Sequence, residues 1–88
     1  MPSRASTSRT ANAVVRRIDA LQRQVADLEG RCVHQRDRAE LAEAALALEE
    51  ARAWLRAATP AEPVLVTHVA TMVTAACGRL YTVARHVG

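Results

Sequence analysis

Five side chains in this 88-residue sequence are of kinds that ligate metals, and two of them also suit nucleophilic chemistry: Cys32, His34, His68, Cys77 and His86. A structural zinc site gathers close-spaced pairs of such residues around one ion. Cys32 and His34 stand two apart, which on a helix points them in nearly opposite directions. His68 and Cys77 are nine apart and again diverge, as do Cys77 and His86. His68 and His86 share a helical face, but five turns separate them. No metal is expected. A cysteine–histidine or serine–histidine–acid set can be assembled from distant positions, yet the chain has no nucleophile turn and no glycine-rich phosphate loop. Glu49 and Glu50 sit in a helical charge pattern that reads as a solvated face. The expectation is a protein with no catalytic residues, no cofactor and no small-molecule substrate.

Arg4, Arg9, Arg16 and Arg17 could meet phosphates. Residues 1–17 hold these four arginines and no acid, a local charge of +4 within a net charge of +3. Residues 18–58 hold eight acids and six arginines, and residues 59–88 one acid and two arginines. A flexible basic arm over residues 1–9, ahead of a dimerising helix, would bind nucleic acid through counterion release. The basic segment followed by heptads superficially resembles basic-zipper proteins, but four arginines over fourteen positions supply no continuous base-reading helix. The arm also overlaps in composition with organellar transit peptides, and a solvated tail is the simpler reading. Trp54 offers an aromatic surface, either completing a helix–helix core or anchoring a partner. Tyr81 offers the same on a smaller scale.

Those residues need helices to hold them. Half the chain is hydrophobic by count, but nineteen of those residues are alanine, against ten valines, eight leucines, one isoleucine and no phenylalanine. Alanine is the strongest helix former and buries little area. The expected fold class is all-α, with a core thin enough to favour packing on another chain. Two cysteines are too few for a disulfide scaffold, and nothing resembles a secretory signal, so a cytoplasmic location is expected.

Three apolar seams run at helical spacing. The first is Val14, Ile18, Leu21, Val25, Leu28 and Cys32; the second is Leu41, Ala44, Leu48, Ala51, Leu55 and Ala58; the third is Val66, Val69, Val73, Ala76, Leu80, Val83 and Val87. Beside the third lies a polar line of Thr67, Thr71, Thr74, Gly78, Thr82 and Arg85, read as a solvent face. The run from Val64 to Cys77 is too short to span a bilayer and contains His68. On the first segment Asp19–Arg23 and Asp27–Arg31 are spaced for i,i+4 ion pairs.

These patterns predict a long amphipathic helix over residues 10–58, starting near Ser8 or Thr10, with a candidate break at 30–37 around Gly30. A turn follows at 59–63, with Thr59 as cap, Pro60 in the first turn and Glu62 closing a capping box. A C-terminal helix over 64–87 then returns as an antiparallel hairpin. Leu41, Leu48, Leu55, Val69, Val73 and Leu80 would form the hairpin core. On an unbroken rod the first and second seams lie about 200° apart, leaving Val14, Ile18, Leu21, Val25 and Leu28 bare as an oligomer interface. The alternative is a compact three-helix bundle in which that stripe faces its own core. The functional expectation is a non-catalytic oligomerisation or scaffolding module, partnered by itself or by another helical protein and not by a membrane. The alternative is a dimeric nucleic-acid-binding regulator.

Overall fold

A computed structural model describes residues 4–57 and 62–87, with side chains from Arg9 onward. The chain is all-α: α1 (Arg4–Arg31), α2 (Gln35–Ala57) and α3 (Pro63–Val87) pack against one another, each touching both others. A 28-residue helix is about 42 Å long at ~1.5 Å per residue, close to the 46 Å long axis of the molecule.

The continuous helix over 10–58 is not formed. Residues Cys32–His34 leave the helix between α1 and α2. The reason lies in the two seams. A rod would put them on opposite sides, whereas a break lets both face α3. Gly30, the penultimate residue of α1, already weakens the helix there by about 1 kcal/mol relative to alanine. Local bonds hold the turn. Arg38 Nε donates to the Cys32 carbonyl at 3.3 Å, and the Arg38 amide donates to the His34 carbonyl at 3.1 Å, opening α2. Asp37 lies in the first turn of α2, where a carboxylate interacts favourably with the helix dipole.

The expected oligomer interface is therefore the interior. Ile18 is completely buried, and Val14, Leu21, Val25, Leu28 and Cys32 are buried with it. They join Leu41, Ala44, Leu48 and Ala51 of α2 and Val66, Val69, Val73, Ala76, Leu80 and Val83 of α3 in one core. Of the expected hairpin core, Leu41, Leu48, Val69, Val73 and Leu80 are buried, and Leu55 is partly buried at its edge. The alternating leucines and alanines of α2 let bulky side chains on facing helices interdigitate.

Two boundaries move. Helix α1 begins at Arg4, ahead of Ser8 and Thr10, so it takes in most of the residues assigned to the arm. No proline or glycine interrupts that stretch, and serine or threonine costs a helix only a few tenths of a kcal/mol each. Helix α3 begins at Pro63, a residue suited to the first helical position. The Val66 amide donates to the Glu62 carbonyl at 3.0 Å, so Glu62 is the residue that opens it. The expected cap at Thr59 with Pro60 lies outside the described residues, as does Ala58.

Ion pairs between helices fix how they lie. Arg52 of α2 donates to Asp19 and, at 2.8 Å, to Gln22 of α1. The expected Asp19–Arg23 pair is replaced by this longer-range contact, while Asp27–Arg31 forms at 3.3 Å. Arg79 of α3 reaches Glu40 at 2.7 Å and Glu43 at 2.6 Å on α2. His86 Nδ1, near the end of α3, lies 3.0 Å from Oδ1 of buried Asp37 at the start of α2.

Candidate functional site

Four of the five chemistry-bearing residues are taken up by packing or local contacts, while the His34 side chain is exposed. Cys32 is buried in the α1–α2 turn, where its Sγ donates to the His34 carbonyl at 3.8 Å. Cys77 is partly buried against the core. His86 is engaged with Asp37. His68 meets Trp54 edge to face, with ring centroids 6.5 Å apart at 87°. Among the described residues no three of His, Cys, Asp and Glu cluster as a metal site would need.

Trp54 does not complete the core. It stays half exposed on the α2 surface, and its ring meets His68 across the α2–α3 seam. Tyr81 is also exposed, with the Arg85 guanidinium 5.9 Å from its ring centroid. Arg9, Arg16 and Arg17 are exposed on α1. None of the three has an acid within ion-pair distance among the described residues. The side chain of Arg4 lies outside the described residues.

The most distinctive surface is the outer face of α3. Between Glu62 and Arg79 the sequence has no aspartate, glutamate, lysine or arginine. The core takes Val66, Val69, Val73 and Ala76 from this stretch, and Val64, Thr67, His68, Thr71, Thr74, Ala75 and Gly78 remain exposed. A solvated helix face normally carries charge; this one carries none over about four turns.

The threonines make it less polar still. Thr67 donates to the Pro63 carbonyl at 2.9 Å, Thr71 to Thr67 at 3.1 Å, Thr74 to Ala70 at 2.9 Å, and Thr82 to Gly78 at 3.1 Å. A hydroxyl bonded back to the carbonyl four residues earlier has spent its proton, and the methyl group is left to meet what lies outside. At the N-terminal end Val64 is 81% exposed.

Gly78 is the second feature of this face. A helical glycine costs about 1 kcal/mol relative to alanine. A Cβ added at Gly78 would meet no atom within 4 Å. Nothing in the chain's own packing requires glycine there.

This face is the polar line that the sequence pattern assigned to solvent. The missing signal was the uninterrupted absence of charge from Pro63 to Gly78, which the threonine count masked. By length and composition α3 is the one described helix able to cross a membrane, although the shorter apolar run from Val64 to Cys77 did not suggest it. Much of that apolar character belongs to the valine row packed on α1 and α2.

No protein-family model, curated protein or solved structure matches the chain.

Proposed function

We propose that this chain is a non-catalytic protein-association module: an antiparallel α2–α3 hairpin with α1 laid against it, which self-associates or packs on another helical protein through the outer face of α3. One observation carries the reading. An exposed helix face that is free of charge over sixteen residues from Pro63 to Gly78, with its hydroxyls already bonded inward, gives up little hydration when covered. Small side chains allow a second helix to approach closely. Nothing on this face is arranged for acid–base, nucleophilic or metal chemistry. A cytoplasmic location remains part of the proposal, as does the lack of a membrane, cofactor or small-molecule partner.

The test is molar mass by light scattering over a concentration series, for the full chain and for Thr71→Glu. The wild type should gain mass with concentration, and the charged variant should stay monomeric with unchanged helicity. A wild type that remains monomeric up to millimolar concentration removes the self-association reading.

The second reading, nucleic-acid binding, rests on Arg9, Arg16 and Arg17, which are exposed on α1 with no acid within ion-pair distance among the described residues. Binding that falls steeply between 50 and 200 mM salt, roughly as one power of salt per phosphate contact, would favour it. Salt-independent or absent binding would remove it.

A further inference from the structure

We infer that the occupant of the α3 face is a second copy of this chain, lying antiparallel along α3 with Thr71 of one copy opposite Gly78 of the other. This rests on the association reading above and adds its partner, direction and register.

The direction follows from charge. Arg85 and His86 lie in the last turn of α3. Among the described residues Arg85 has no acid within ion-pair distance; its guanidinium lies 5.9 Å from the Tyr81 ring centroid. A parallel pair would set Arg85 against its own copy. In the antiparallel register the two Arg85 residues lie about 32 Å apart, at ~1.5 Å per residue. Arg85 then comes level with the start of the partner helix, within about one turn of exposed Glu62. The helix dipoles also oppose head to tail.

The register follows from the residues along the face. Thr67, Thr71, Thr74, Ala75, Gly78 and Thr82 read nearly the same from either end about the Thr74–Ala75 midpoint. Antiparallel pairing on that midpoint sets Thr67 opposite Thr82, Thr74 next to its own copy, and Thr71 opposite Gly78. The glycine that the monomer does not need then has a use: the open space around it receives the Thr71 methyl of the partner. Val64 lies opposite the aliphatic stem of Arg85 and is shielded by it. A single helix face is small for a protein interface, so the dimer belongs to the weak, reversible class. Lipid is the poorer occupant, because apart from Val64 the exposed side chains of this face are threonine, alanine, glycine and histidine, while the valine row faces inward.

Sedimentation velocity over a concentration series measures the dimer directly. Gly78→Leu should weaken it at least tenfold with helicity unchanged, since a Cβ at this position meets no neighbouring atom within 4 Å in the monomer and the longer side chain points into the space the partner helix would fill. Gly78→Ala, the milder variant, should also weaken it while raising the melting temperature of the dilute monomer. Single cysteines introduced in a Cys32→Ala, Cys77→Ala background then read the register. Thr74→Cys should form a covalent dimer under mild oxidation. Thr67→Cys should not, because its two copies lie about 22 Å apart in this register.

A dimer that Gly78→Leu leaves equally tight, or one that cross-links as readily through Thr67→Cys as through Thr74→Cys, overturns the inference. If Thr71→Glu still abolishes that dimer, the association reading survives. A strictly monomeric wild type overturns the inference together with the self-association reading. So does a wild type that stays monomeric in buffer but binds phosphatidylcholine vesicles through this face, which would assign the face to lipid.

Discussion

Replacing Ile18 by alanine tests whether the α1 stripe belongs to the folded monomer. Ile18 is fully buried among residues of all three helices. The change removes three carbon groups, worth about 2.4 kcal/mol at ~0.8 kcal/mol each. The cavity left behind raises the cost toward 3–4 kcal/mol, within the usual range of about 2–5. Alanine's better helix propensity returns a few tenths. For a chain of this length, total stability of roughly 4–13 kcal/mol is ordinary, so this one change takes a large share. At about 4–8 °C per kcal/mol, the melting temperature should fall by at least 12 °C. Leu46→Ala is the control: Leu46 is 61% exposed on α2, and its loss should stay within about 0.5 kcal/mol. The assay is urea and thermal denaturation followed by circular dichroism, at concentrations low enough for the chain to be monomeric. The Ile18→Ala loss should be the same on further dilution. If it shrinks toward zero on dilution, the stripe is buried between chains and the reasoning is wrong.

Arg52→Ala removes the link from α2 to Asp19 and Gln22 of α1; with both ionic partners partly exposed, the loss should be under about 1 kcal/mol and smaller in 1 M NaCl. His86→Ala leaves the buried Asp37 carboxylate without its histidine partner and should cost about 1–3 kcal/mol. Adding Asp37→Ala to it should cost less than the sum of the two single changes, as a double-mutant cycle in chemical denaturation will read. Gly78→Ala should stabilise the dilute monomer by about 0.5–1 kcal/mol, seen as a rise of a few degrees in the melting temperature.

The core was legible in the sequence because apolar spacing carries it. Leu41, Leu48, Val69, Val73 and Leu80 are buried where the seams placed them, and the first stripe is as continuous as it reads. What covers that stripe was not legible. Whether Val14 to Leu28 faces its own chain or another turns on three residues, Cys32 to His34, where helix propensity differs little between a bent and a straight path. The break is decided by long-range burial against α3. The candidate site was hidden for a different reason. Threonine counts as polar in any pattern, and only the bonds to carbonyls four residues back show that Thr67, Thr71, Thr74 and Thr82 spend their hydroxyls within the helix. Gly78 looked like one more small polar residue until the space around it was known. Trp54 was placeable beside the Leu48–Leu55 seam, but its half-exposed stance against His68 depends on how α2 and α3 meet.

Amide hydrogen exchange on the dilute monomer reads out whether α1 folds onto α2 and α3 within a single chain. The amides around Ile18, Leu21 and Val25 should be protected to nearly the same level as those around Leu48 and Val73, exchanging only through global unfolding. Rapid exchange along α1 with α2 and α3 still protected would contradict this, showing that the α1 stripe has no cover in the single chain.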